Sequence, residues 1–175
     1  MNHFFVALLL GLTLPAFAQN QWACLLQQFL PQRCYTKAPV AIDNDDYSFA
    51  KAYHNAFSKQ IGEEYFACVE EKMLYLERAS EALEARNINH VLLFHTDKLN
   101  ADYLDGLAAA YRRHQYQFVS LEKALTDEAY RQKITEYDDW GISWIDRWAL
   151  SRGETDFLKE DPATPAHIME LSGLK

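Results

Sequence analysis

The stretch from His90 to Ser120 constrains the fold most. His90-Val-Leu-Leu-Phe94 is a short apolar run, the segment from Asn100 to His114 has an apolar stripe at Leu104, Leu107, Ala108 and Tyr111, and Tyr116-Gln-Phe-Val119 alternates. Strand, helix, strand in roughly thirty residues is the pattern of a right-handed parallel crossover. Asn100 is placed as the helix N-cap with Asp102 in the first turn, and Arg112, Arg113 and His114 close the other end on the side that the helix dipole favours.

A further candidate strand, Ala38-Pro-Val-Ala-Ile42, runs into the acidic cluster Asp43-Asn-Asp-Asp46. If it joins His90 to Phe94 in parallel, Asp43, Asp46 and His95 emerge on one carboxyl edge, where open α/β sheets bind their ligands. A carboxylate beside an imidazole fixes its tautomer and stabilises the imidazolium, which suits a histidine to general-acid work. The competing reading is that His95 caps the adjoining loop and the acidic cluster is a solvated turn. Asp97 is read as a loop-start residue, and His54, His114 and His167 have nothing near them in the sequence to mark a site.

The remaining elements read as helices. Phe66, Val69, Met73, Leu76, Ser80 and Leu83 recur at steps of three and four, predicting an amphipathic helix from about Glu63 to Arg86 whose apolar face joins the core. Phe49, Tyr53 and Phe57 keep i, i+4 spacing in a shorter helix, and Leu25, Leu26, Phe29 and Leu30 form a face that Pro31 terminates. Trp140, Trp144 and Trp148 form an aromatic cluster open to two readings, a plug that seals the core and a platform on which a sugar stacks. From Glu154 onward, charges with Pro162 and Pro165 predict a flexible C-terminal tail over 154–175.

The amino-terminal eighteen residues differ in kind. Phe4 to Leu12 is apolar and short for a bilayer span, and Pro15 with Ala16-Phe17-Ala18 supplies a cleavage pattern, so residues 1–18 read as a secretory signal with a one-span anchor as the alternative. The expected location is periplasmic or secreted, with no membrane contact after signal removal. A net charge of −8 argues against nucleic acid as a partner. Of the three cysteines, Cys24 and Cys34 are the expected disulfide pair and Cys68 a small apolar residue on a helix face; with no Cys-x-x-Cys, a thiolate zinc site is unsupported. Residues 19–153 are expected to form one domain.

Taken in order, these pieces resemble the C-terminal half of the NodB-type polysaccharide deacetylases, the peptidoglycan, xylan and chitin deacetylase group. Ala38-Pro-Val-Ala-Ile-Asp43 followed by Asn-Asp-Asp46-Tyr47 looks like that family's Asp-x-x-Asp-Trp motif with tyrosine for tryptophan. Leu92-Leu-Phe-His95 with Leu99-Asn-Ala-Asp102 looks like its histidine motif, and Phe118-Val-Ser-Leu121 and Gly141-Ile-Ser-Trp144 match its end. The resemblance implies a partial (β/α) barrel-like parallel sheet with flanking helices. It also implies hydrolysis of the amide (C–N) bond of an acetylated polysaccharide or oligosaccharide, with His95 as general acid, Asp46 and Asp43 beside it, Leu93 lining the acetyl pocket, and Tyr47, Trp140 and Trp144 contacting sugar. Family members use zinc or a similar divalent ion held by an Asp-Asp pair and a His-x-x-x-His motif ahead of the matched region, and an Arg-x-Pro motif; these have no counterpart here, so no cofactor is evident in this chain. The expectation is a truncated or degenerate member that keeps the acid half of the site and is impaired because the metal-binding half is missing. Its enzymatic reading requires a metal site completed by another, complementary chain or supplied unconventionally; the alternatives are a non-catalytic carbohydrate-binding or interaction remnant and a gene fragment.

Overall fold

The computed structural model describes residues 29–136, 143–154 and 156–174. The expected signal peptide, Cys24 and with it the expected disulfide, and Trp140 lie outside these residues. The chain divides into two compact units, Met1–Lys37 with Tyr137–Trp140, and Ala38–Glu136 with Gly141–Lys175. In the first, residues 29–32 make a helical turn that ends where the Arg33 and Tyr35 amides donate to Leu30 O, and Arg33 lies over the Phe29 ring.

The second unit is helical. Its elements are α1 (Asp46–Ala56), α2 (Lys59–Glu84), α3 (Lys98–Arg113), α4 (Leu121–Ala124), α5 (Trp144–Arg152) and α6 (Ala166–Ser172), with 3-10 turns at Glu128–Arg131 and Asp156–Glu160. The long helix is α2, and its buried face carries Ile61, Tyr65, Val69, Met73, Leu76 and Leu83 at the helical spacing. Ser58 caps its start by accepting from Gln60 N, and Ala85, in the left-handed region at φ 52°, ends it. Gly62 on this face lets the Tyr103 ring of α3 approach to where a Cβ would lie 1.9 Å from it, so the two helices meet there over a bare backbone. No helix among the described residues is long and apolar enough to cross a membrane.

The expected α/β fold, a partial barrel-like parallel sheet, is overturned: among the described residues no strand forms, and the sheet is reduced to one parallel bridge between Ile42 and Leu92. The bridge is real pairing, with Ala41 N and Ile42 N both donating to Val91 O at 2.8 and 3.0 Å and Leu93 N donating to Ile42 O at 3.0 Å. It does not lengthen because Pro39 has no N–H to donate and the carbonyl of Val40 accepts from Trp144 N at the start of α5 instead. The third expected strand, Tyr116 to Val119, pairs with nothing in a ladder, and Phe118 stands 58% exposed. Tyr116 and Phe118 pack on Tyr111 of α3, but a strand also needs a partner edge, and none lies along this segment among the described residues.

Residues after Glu154, read from sequence as a tail, contribute to the core. Ile168 of α6 is fully buried, α6 packs on α1, and Asn55 Nδ2 donates to the terminal carbonyl of Leu171 at 2.8 Å. Lys72, buried on α2, pairs with Asp161 at 2.5 Å. One turn further along α2, Tyr75 donates to Asp146 at 2.9 Å, and Asp146 and Ser143 form a capping box that fixes the start of α5.

The loop after α2 is set by Asp127, which accepts from both Arg86 terminal nitrogens and from the amides of Asn89 and Ala129. The Arg86 guanidinium, against the opposing effect of burial, brings its carboxyl down to about 2. His90 is shifted by burial, which lowers its imidazole to about 4, and its Nδ1 has no partner among the described residues. The two groups destabilise the fold in successive windows on acidification. The unfolded chain takes up the His90 proton first, so stability falls as pH drops from about 6.5 to 4, and the Asp127 contribution is lost as pH drops from about 3.8 to 2. Urea midpoints measured at steps of pH are expected to show both limbs, with His90→Phe removing the first and Asp127→Asn flattening the second; unchanged limbs in these variants would reject the assignment.

Candidate functional site

After the bridge residue Ile42 the chain turns sharply. Asp43 Oδ1 accepts from Asp45 N at 3.2 Å, and Asp45 sits in the left-handed region at φ 54°, which starts α1 at Asp46. Asp46 therefore occupies the first turn of a helix, the position where the dipole stabilises a negative charge, and it is 0% exposed. The parallel partner carries the chain through Leu92 to His95 beside it. The bridge thus does locally what a whole sheet edge was expected to do.

Three donors converge on the Asp46 carboxylate: His95 Nδ1 at 2.6 Å on Oδ1, and His95 N at 2.8 Å and Asn100 Nδ2 at 2.6 Å on Oδ2. A carboxylate can only accept, so Nδ1 carries its hydrogen and the tautomer is fixed. Asn100 is the hub of the network. Its amide also donates to His95 O at 2.9 Å, and its oxygen accepts from the buried Tyr65 hydroxyl at 2.6 Å. Asp97 caps α3 by accepting from Asn100 N at 2.8 Å, so the cap is Asp97 and the residue expected in that role, Asn100, lies inside the first turn with its side chain turned to the site.

His95 is held by one nitrogen and by its own backbone, while its side chain remains 48% exposed. Nε2 has no partner among the described residues. The ring forms one wall of a groove of about 430 Å³ whose other walls are Tyr47, Ala50, Lys51, Tyr53, His54, Phe57, Asp97 and Lys98. Tyr47 meets the His95 ring edge-on, with centroids 6.2 Å apart. Lys98 lies over the Phe57 ring at 5.1 Å and pairs with Asp102 at 2.6 Å, and Tyr53 donates to the same carboxylate at 2.9 Å. Lys98 and then Tyr53 hold the Asp102 carboxyl below the usual carboxylate range.

Of the residues expected at a site, the structure brings together His95, Asp46 and Tyr47. Asp43 makes no hydrogen bond to the imidazole and instead accepts from the Asp45 amide, and burial raises its carboxyl above the usual range. Leu93 does not line the groove and spends its amide on the bridge. Trp144, half-buried under Arg147, does not line it either, and Trp148 is a core plug, 1% exposed and edge-on to Tyr130. Asn100, Tyr65, Lys51, His54 and Lys98 had no place in the sequence reading of a site. For two of them a signal existed: Tyr47, Lys51 and His54 recur at steps of four and three on one face of α1.

Comparison of the chain with family models, curated proteins and solved structures gives no match. The divalent ion that the sequence resemblance implies finds no donor set: among the described residues no three His, Cys, Asp or Glu side chains gather so as to hold a metal. Asp46 is already saturated by three donors and His95 Nδ1 by Asp46, which leaves Nε2 alone, and one nitrogen does not fit a metal site.

Proposed function

We propose that the groove receives an acetylated saccharide and that His95 delivers a proton to it, so that the chain carries the acid half of a deacetylase-type site. The observation that carries the reading is the anchoring of His95 Nδ1 on a fully buried carboxylate with the opposite nitrogen left at the groove. In this reading the imidazolium protonates the departing amine through Nε2, and Asp46 remains ionised, holding the ring in plane and balancing its charge. Tyr47 and Phe57, exposed at the rim, offer apolar surface against which a sugar ring packs. Activation of the attacking water is assigned to no residue of this chain, because its donor set does not fit the metal; a complementary chain is the source that the reading requires.

The test is release of acetate from an N-acetylated chitooligosaccharide, with the protein alone and with cell extract, across a zinc titration. His95→Ala is expected to lower turnover by about 100-fold or more, the contribution of a positioned general acid, while leaving saccharide affinity within about threefold. Absence of acetate release under every condition rejects the catalytic reading. A second reading, saccharide binding without turnover, is favoured by the missing donor set and predicts affinity in calorimetry with no acetate release.

A further inference from the structure

The Asp46–His95 dyad is held from behind the groove. Asn100 stands at the third position of α3, from which a side chain reaches back over the helix start. Its two amide protons serve three oxygens: Asp46 Oδ2 at 2.6 Å, His95 O at 2.9 Å and Asp97 Oδ2 at 3.2 Å. Its own oxygen accepts from the Tyr65 hydroxyl at 2.6 Å, and that hydroxyl accepts from Asn44 Nδ2 at 3.4 Å. Asn44 belongs to the turn that starts α1 at Asp46, so the bonds close a ring through α1, α2 and α3, and its four side chains are all buried. Burial also pushes the Tyr65 hydroxyl up, so it stays protonated and goes on donating. Asn44, Tyr65 and Asn100 do not line the groove.

We propose that Asn100, backed by Tyr65, is the positioning residue of the site: it fixes where His95 Nε2 stands at the groove without touching the ligand. The inference rests on the reading of His95 as proton donor and adds the residues that aim it. His95 lies in the loop between the bridge and α3, and both of its backbone groups are taken, the amide by Asp46 and the carbonyl by Asn100. Asn100 also holds the Asp46 carboxylate by Oδ2, which turns Oδ1 to the imidazole. One side chain thus secures the backbone of the histidine and the carboxylate that orients its ring. The position calls for an amide. Leucine offers no donor, and aspartate keeps the acceptor for Tyr65 but sets a second carboxylate against Asp46.

Nitrogen-15 NMR of the full chain with labelled histidine tests the proposal through exchange of the His95 Nδ1 proton with water, a readout that needs no turnover. In Asn100→Asp and Asn100→Leu this exchange is expected to quicken about tenfold or more, the loss of a hydrogen bond to a charged group. Tyr65→Phe keeps the ring packed on Phe49 and is expected to quicken it about threefold, which decides the matter if the Asn100 variants do not fold. Trp148→Phe, outside the network, is expected to leave the rate within about twofold of the parent even though it changes the core. Parental rates in the Asn100 variants, or in Tyr65→Phe where those do not fold, overturn the assignment, and so does an equal rise in Trp148→Phe. In the acetate assay, Asn100→Asp is expected to lower kcat about 10- to 100-fold with KM within about threefold. A raised KM at unchanged kcat makes Asn100 a binding residue and overturns its positioning role. Absence of acetate release in the parent rejects the proton-donor reading, and the exchange rates still decide whether Asn100 holds the ring.

Discussion

Asp46→Ala is expected to destabilise the protein by about 3 to 5 kcal/mol, the cost of removing one partner from a buried charged network. The carboxylate is fully buried and takes three hydrogen bonds, so its loss strands the amide and Nδ1 of His95 and leaves the Asn100 amide only its bonds to His95 O and Asp97. In a chain of this size that corresponds to a thermal midpoint lower by roughly 10 °C. Asp46→Asn keeps the volume and one acceptor, but its NH2 group then faces a donor, so its cost is about half as large. Both variants release the imidazole from its fixed tautomer. Differential scanning calorimetry decides the matter, and a midpoint for Asp46→Ala within about 2 °C of the parent would show that the network does not hold the fold.

The second large effect is at Trp148. Truncation to alanine is expected to cost about 3 to 5 kcal/mol, through lost transfer energy and the cavity left behind in a packed interior. Trp144→Ala is expected to cost about 1 kcal/mol, because its ring is only half-buried. Trp148 Nε1 is buried with no partner among the described residues. Trp148→Phe is therefore milder than the volume change suggests, since it removes an unpaired donor along with the second ring. Equal losses at Trp144 and Trp148, read from urea unfolding, would contradict the assignment of Trp148 as the plug and Trp144 as its partly exposed neighbour.

Several elements were legible because their signals are local. The stripe of Phe66, Val69, Met73, Leu76 and Leu83 gave α2, and that of Leu104, Leu107, Ala108 and Tyr111 gave α3, of which Leu107 and Tyr111 are buried while Leu104 is exposed, since period 3.6 needs no knowledge of the rest of the chain. Caps were less secure. Asp97 and Asn100 are both good N-caps, and only the pull of Asp46 and Tyr65 on the Asn100 side chain decides that Asp97 caps the helix. The strands failed for a different reason: a short apolar run becomes a strand only if a partner edge is available to pair with along its length, and that is decided by the assembled fold. The expected tail failed likewise, because one buried Ile168 and the Lys72–Asp161 pair hold what composition alone describes as loose.

The sequence by itself determined that Asp46 and His95 stand at the ends of two short apolar runs, each followed by a helix start, and that the rest is mainly amphipathic helix. Only the tertiary structure decided that a single parallel bridge suffices to bring them to 2.6 Å, and that the groove beside them is walled by α1 and the start of α3. Helix periodicity is written in neighbours three and four residues apart. The dyad joins positions 49 apart, and Asn100 to Tyr65 spans 35, so their convergence depends on how α1, α2 and α3 pack rather than on any pattern along the chain.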